Sequence, residues 1–299
     1  MPTVSVVMAS YNHAQYIGQA IEGVLGQTFS DLELIIIDDG SKDVSQEIIK
    51  TYARKDSRVQ YVFHAFNQGI AQTVNDGLER ARGLYVGLTS SDDVWLPSKL
   101  EKQIAVLKED PDVIVWTNGG LIDECGNHLD GDFFKYARKR HENLKLSGNI
   151  FLDLVAGNYI ASQSLLFSHK VLEKHRFNKK FKYLNDYIFC LDLASNYDYH
   201  FIDENLFYYR RHRSNTTSNQ SLRWVRDGVL AYVYIAKNYN SRLPVTARAK
   251  NYFILAKLLE KLNHQKLAKK YYYRAWTSWP FKKKYRSALW RVYRRTKFL

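Results

Sequence analysis

The stretch Tyr85-Val86-Gly87-Leu88-Thr89-Ser90-Ser91-Asp92-Asp93-Val94-Trp95 reads as a buried strand that stops at two adjacent carboxylates. An apolar run that ends in charge puts the charge at the rim of a sheet, and in open α/β sheets ligands bind at the rim formed by the carboxyl ends of the strands. Two neighbouring carboxylates repel each other unless a cation or a proton lies between them, so such a pair suits a hard metal ion or acid–base chemistry. The plainer alternative is a solvated turn and cap ahead of the helix that Pro97 starts. The neighbouring segments decide between these readings.

Upstream, the chain alternates. Thr3 to Ala9 is a short β-rich run, followed by Ser10-Tyr11-Asn12-His13 and a helical pattern from about Ala14 to Leu25 with Ile17, Ile21, Val24 and Leu25 on one face. Leu32 to Ile37 is a second buried strand ending in Asp38-Asp39-Gly40-Ser41, with a helix from about Val44 to Arg54. Val59 to Phe63 is a third strand, Asn67-Gln68-Gly69 a turn, and Ile70 to Arg82 a helix. Four strands alternating with helices predict an α/β, doubly wound and mostly parallel sheet.

Downstream, Ser98 to Lys108 continues as helix, Val113 to Thr117 as a fifth strand and Leu121 to Leu129 as a strand and turn. The alternation then breaks. Ile150 to Val155 is helical, Ser164 to Phe167 a short strand, Lys182 to Asn196 a helix, and Tyr199 to Tyr209 a strand pair or one extended aromatic run. From Ser221 the pattern is wholly helical, over Leu222 to Tyr239, Thr246 to Leu262, Gln265 to Trp276 and a basic-aromatic segment from Phe281 to Leu299, with the clearest break at Asn240 to Pro244. The expected division is an α/β region over 1–220, with halves at about 1–125 and 126–220, followed by a basic helical region over 221–299.

The 299 residues are 45% apolar, enough for a sizeable core. No stretch approaches the roughly 18 to 20 apolar residues of a membrane span, and Met1-Pro2-Thr3-Val4 enters a strand with no leader pattern, so a cytoplasmic location is expected. Cys125 and Cys190 lack metal spacing and read as reduced thiols. The net charge of +14 is carried by the tail: from Ala236 onward there are 18 Lys and Arg against one acid, Glu260. Such a tail can meet nucleic acid, anionic lipid or an acidic substrate.

The first loop lacks the glycines of a dinucleotide-binding turn, and no phosphate-cradling loop with a following Lys-Ser/Thr occurs. The early loops instead carry a ring, Tyr11, and carboxylates, Asp38 and Asp39. A ring can stack on a nucleobase and a carboxylate can accept from an imide N–H.

Taken together, Val4-Ser5-Val6-Val7-Met8-Ala9-Ser10-Tyr11-Asn12, Ile37-Asp38-Asp39-Gly40-Ser41, Asn67-Gln68-Gly69 and Ser91-Asp92-Asp93 resemble, in order and spacing, glycosyltransferase family 2, whose members are inverting and adopt the GT-A fold. The resemblance is close over about residues 3 to 125 and looser to about 220. It implies transfer from a nucleotide-diphospho-sugar, with UDP as the expected nucleotide, to a glycan or lipid-linked acceptor in surface polysaccharide synthesis. Ala9, Tyr11, Asp39, Asn67, Gly69 and Asp92 would line the donor site, with Tyr11 on the base and Asp39 at its imide edge. Asp93 and His212 would ligate Mn2+ or Mg2+. Asp186, in Lys182-Tyr183-Leu184-Asn185-Asp186-Tyr187, would be the catalytic base.

This chain departs from the family at Ser90, commonly acidic, and at Asn185, often Glu. Arg210, Arg211 or Arg213 would face the diphosphate. Gln220-Ser221-Leu222-Arg223-Trp224 fits the signature of processive members, yet the spans those members carry are missing, so single addition is expected. The tail intersperses Trp276, Trp279, Phe281, Tyr285, Trp290, Tyr293 and Phe298 with bases, as in helices that lie on anionic lipid; it suggests a peripheral position on the inner face of the plasma membrane, and nucleic acid is not expected. A sugar nucleotidyltransferase, or a non-catalytic basic binding protein on the same sheet, remain the alternatives.

Overall fold

The computed structural model describes residues 1–138, 144–215 and 222–296. Among them, two compact units are formed: Met1–Ile150 with Tyr159–Arg213, and Phe151–Asn158 with Ser214–Leu299.

The first unit is built on one sheet. Its strands are β1 (Val4–Ser10), β2 (Leu32–Asp38), β3 (Val59–Phe63), β4 (Tyr85–Ser90), β5 (Val94–Trp95), β6 (Ile114–Ile122), β7 (His128–Asp132), β8 (Leu166–Ser168) and β9 (Tyr199–Arg210), in the order β3-β2-β1-β4-β8-β6-β9-β5 with β7 beside β6. β1 to β4 pair in parallel, β6 and β9 run the same way, and β5, β7 and β8 oppose them. The stretch 85–95 is thus two strands rather than one, central β4 and, at the end of the sheet, β5, and the registers Ser10↔Asp38 and Ala9↔Ser90 align the carboxyl ends of β2, β1 and β4.

β1 and β2 are buried along their whole length because helices cover both faces. α1 (Ile17–Leu25) buries Ile17, Ala20, Ile21 and Val24, and α2 (Ser45–Lys55) buries Ile49. α3 (Ile70–Leu78) lies so close to β1 that a Cβ at Gly77 would come within 2.4 Å of Val7 Cγ1, which requires glycine there. α4 (Lys99–Glu109) adds Leu100, Ile104 and Leu107 to the core, α5 (Phe133–Arg138) follows β7, and α7 (Asn185–Ala194) is buried on nearly every side.

Several expected elements have different extents. β6 runs on through Gly119 and Gly120 to Ile122, because the Phe207 and Tyr208 rings on β9 occupy the space that side chains at 119 and 120 would need. Residues 199–210 form one strand rather than a pair, paired with β6 on one side and β5 on the other.

The second unit comprises α6 (Phe151–Ala156), α8 (Leu222–Asn238), α9 (Val245–Lys261), α10 (Gln265–Ser278) and α11 (Lys283–Thr296). The expected break at 240–244 is a 3-10 turn, Asn240–Arg242, inside this unit. Leu255, Ala256 and Leu259 pack against Ala268 and Tyr272 and against Ala288, Leu289 and Val292. Among the described residues no helix is long and apolar enough to cross a membrane. Gln220, Ser221 and Phe298 of the sequence patterns lie outside the described residues.

Candidate active site

Three loops meet at the carboxyl rim of β1, β2 and β4. The Asp39 N–H donates to Ser10 O at 2.8 Å and the Ser91 N–H to Ala9 O at 3.2 Å, continuing the sheet's pairing past the strand ends. Asn12 adopts a left-handed φ of 53°, and its N–H donates to Ser41 Oγ while its side-chain oxygen accepts from Lys42 N. The turn points Tyr11 outward, 41% exposed. Asp38 is turned inward, where it accepts from Ser10 Oγ, Ser41 N and Oγ, and Gln46 Nε2; it is a brace for the loop.

Asp39 is buried too, but it faces the third loop. Oδ1 accepts from Gln68 N at 2.7 Å and lies 2.8 Å from His64 Nδ1, while Oδ2 accepts from Gly69 N at 2.8 Å. Oδ2 thus takes one hydrogen bond among the described residues and keeps a lone pair for a further donor. His64 reaches Asp76 Oδ2 with its other nitrogen at 2.9 Å, so it links Asp39 to α3. Asn67 is exposed beside this contact, and Gly69, with φ 90°, opens α3.

The paired carboxylates diverge. Asp92 Oδ2 lies 3.1 Å from His212 Nε2 and 4.0 Å from His13 Nε2, and the ligand atoms of these three residues lie within 4.8 Å of one another. Asp93, expected to be a ligand beside His212, lies outside this group. It is 2% exposed, and its Oδ1 accepts from the backbone N–H of Arg210 at 2.9 Å. Burial raises the proton affinity of both carboxyls. At Asp92 the hydrogen bond from His212 and the neighbouring His13 outweigh it and hold the group below the ordinary carboxylate range. At Asp93 burial combines with the charge of Asp92 and pushes the group well above that range, against the pull of Arg210 and Gln163.

His13 is missing from the sequence-based set, though its position in the first loop was the available signal. Its N–H donates to Ser45 Oγ and its Nδ1 is 2.8 Å from Ser91 Oγ. With Nδ1 donating to that hydroxyl, Nε2 presents its lone pair toward Asp92. Burial keeps the ring's pKa low, against the charge of Asp92, and so favours the neutral, ligating form. Tyr16 packs against both imidazoles, with ring centroids 4.7 Å from His212 and 5.9 Å from His13.

Arg210 is a correction to the expected phosphate-facing role. Its guanidinium is buried: Nε donates to Asp92 O, one terminal nitrogen to Asp123 O and the other to Gln19 Oε1, and the plane lies 5.0 Å from the Tyr16 ring. It ties β9 to α1 and to the loop bearing Asp92. Arg211 and Arg213 are exposed. Asp186 stands in the first turn of α7, half-buried, with Oδ1 accepting from Tyr187 N at 2.6 Å.

Two imidazoles and one carboxylate make a mixed nitrogen–oxygen donor set, which fits Mn2+ better than the all-oxygen preference of Mg2+. Both imidazoles are packed against Tyr16, and one is fixed from behind by Ser91, the outer support that metal-binding histidines use.

Comparison with known proteins agrees with this architecture. The profile of glycosyl transferase family 2 matches residues 5–168, more than half of the chain. An uncharacterized glycosyltransferase of Rickettsia typhi is 32% identical over 222 residues, covering 73% of this chain and 66% of that protein. TuaG of Bacillus subtilis, a glycosyltransferase named for teichuronic acid biosynthesis, is 39% identical over 129 residues, 43% of this chain and 51% of its own length. The crystal structure of S. aureus TarS 1-349 in complex with UDP superposes with a TM-score of 0.65 at 18% identity, covering 98% of this chain and 89% of that one. The sheet is the GT-A sheet, and the chain belongs to glycosyl transferase family 2.

Proposed function

We propose that the protein is an inverting, non-processive glycosyltransferase that uses a nucleotide-diphospho-sugar, with UDP as the nucleotide, to extend a glycan or lipid-linked acceptor in surface polysaccharide synthesis on the inner face of the plasma membrane. The observation that carries the reading is the convergence, on one sheet rim, of the Asp39–Gly69 contact with the His13, Asp92 and His212 group. One end of that rim suits a pyrimidine base and the other a diphosphate.

Tyr11 stacks on the base and Asp39 accepts the imide N–H at Oδ2, held in place by Gln68, Gly69 and His64. Ala9, Asn67 and Gly69 supply main-chain and side-chain contacts along the same rim. His13, Asp92 and His212 would hold the divalent ion, which, when bound, offsets the negative charge that the departing diphosphate gains. Asp92 must give up its contact with His212 to do so, and its low proton affinity keeps it anionic for the exchange. Asp93 does not ligate; its buried carboxyl receives Arg210 and so fixes the backbone from which Asp92 projects. Asp186 takes the acceptor hydroxyl's proton as that oxygen attacks the anomeric carbon from the face opposite the leaving group.

The deciding experiment incubates the protein with Mn2+ and a panel of UDP-sugars. Release of UDP is expected; formation of UTP, and only when pyrophosphate is added as co-substrate, would identify a nucleotidyltransferase, and no turnover with any donor a binding protein. Two substitutions separate the roles. Tyr11→Ala should weaken UDP binding about 10- to 100-fold in calorimetry, the worth of one ring–base stack of about 1–3 kcal/mol. Asp186→Asn should leave UDP binding unchanged and lower transfer about 10²- to 10⁴-fold, the usual contribution of a general base; equal losses in binding and turnover would remove Asp186 from that role.

A further inference from the structure

The helical unit carries a face that the transferase reading does not use. On α11 the apolar stripe Tyr285, Ala288, Leu289 and Val292 is consumed by packing within the unit, so Tyr285 is a core residue and not a surface ring. The opposite stripe, Lys283, Arg286, Trp290 and Tyr293, follows the same helical spacing and faces out, with Trp290 60% exposed and Tyr293 40%. α10 offers a matching stripe: Lys266 and Lys270 are exposed, and Tyr273 is 54% exposed.

The two stripes adjoin. Lys269 Nζ lies 3.2 Å from the Tyr293 ring centre at one end, and Ala275 packs with Tyr285 toward the other, so α10 and α11 run antiparallel. Across α9, α10 and α11 the bases are set against a single acid. Glu260 is the single acid from Ala236 to Leu299, and it sits at the rear, accepting from Tyr272 Oη at 2.8 Å and paired with Arg291 at 3.0 Å.

We propose that the α10–α11 face docks on an anionic lipid surface. The exposed rings enter the headgroup level while the flanking lysines and arginines meet lipid phosphates, as in helices that lie in an interface without crossing it. Lipid is favoured over duplex nucleic acid, whose phosphates would use the basic side chains and leave Trp290 in water; a single strand, whose bases could stack on the rings, is the competing occupant that the experiment tests against. The face belongs to a different unit from the donor site, so this inference stands or falls apart from the transferase chemistry.

Flotation of the full chain with vesicles tests it. Binding is expected to mixed phosphatidylglycerol–phosphatidylcholine vesicles and not to phosphatidylcholine alone, to weaken as salt rises, and to shift Trp290 fluorescence to the blue, the shift being lost in Trp290→Phe. The triple change Tyr273→Ala, Trp290→Ala, Tyr293→Ala should weaken binding by about tenfold or more. Lys266→Gln, Lys270→Gln and Arg286→Gln together should do the same with every ring retained. Unchanged circular dichroism would certify both variants, since all six side chains point outward. No binding by the wild-type chain, or equal binding by the ring-less variant, overturns the proposal. So does tighter binding to single-stranded oligonucleotide than to the vesicles, or concentration-dependent self-association that the triple change abolishes.

Discussion

Asp92→Ala is expected to cut Mn2+ binding at least about tenfold and to slow UDP release from a UDP-sugar by about 10²- to 10³-fold, the usual loss when one group that stabilises a developing oxyanion is removed. Asp92 is the side chain through which the two imidazoles communicate: its Oδ2 is 3.1 Å from one and 4.0 Å from the other, and without it the two rings are left with centroids 5.6 Å apart and no carboxylate between them. Two imidazoles alone hold a hard cation poorly. Asp93→Asn is the contrast. Its buried carboxyl already favours the protonated form, so the amide is a near-isosteric neutral substitute and Mn2+ binding should stay within about threefold of wild type. Paramagnetic resonance of free Mn2+ reads both variants directly. If Asp93→Asn abolished binding and Asp92→Ala did not, the ligand assignment would be reversed.

Arg210→Met should destabilise the protein by about 3–5 kcal/mol, the usual penalty for breaking a buried charged network. The change strands the Asp92 and Asp123 carbonyls and Gln19 Oε1, each losing a charge-assisted donor inside the fold, and removes the positive charge that the Asp93 carboxyl feels. For a unit of about 200 residues this corresponds to a fall in midpoint of roughly 10 °C in thermal unfolding. Arg211→Met, one residue along and exposed, should move the midpoint by about 1 °C or less. A fall below about 2 °C for Arg210→Met would show that the guanidinium is dispensable to the network.

Much of this arrangement was legible in the residues because it depends on local pattern. The four strands of the parallel half are predominantly apolar runs, and Val59–Phe63 has the same limits in sequence and structure. The loops bearing Tyr11, Asp39 and Asp92 follow such runs, so their rim position came with the strands. Two kinds of feature were not legible. Which of two adjacent carboxylates turns outward depends on the path of β9, more than a hundred residues later, because the Arg210 N–H captures Asp93. Whether a basic residue faces solvent or braces the interior also depends on partners: in the run 210–213, Arg210 finds Gln19 and two carbonyls while its neighbours do not point the same way. His13 was overlooked for a related reason, since an imidazole in a polar loop gains meaning only once Ser91 and Asp92 are beside it. In the tail, composition revealed the excess of bases and rings, but only packing divided Tyr285 from Trp290.

The proposed ion-binding group draws on residues 13, 92 and 212, and its brace is residue 210. Chain order therefore sets a timetable. A ribosome elongating at roughly 5–20 residues per second needs on the order of 6–24 s to pass from the second ligand to the third. During that interval the nascent chain exposes a rim with its aromatic and acidic groups made but its last imidazole and its arginine brace still to come. A released fragment ending before residue 210 is expected to be inert for the same reason, so activity reports that translation has run through at least the first unit.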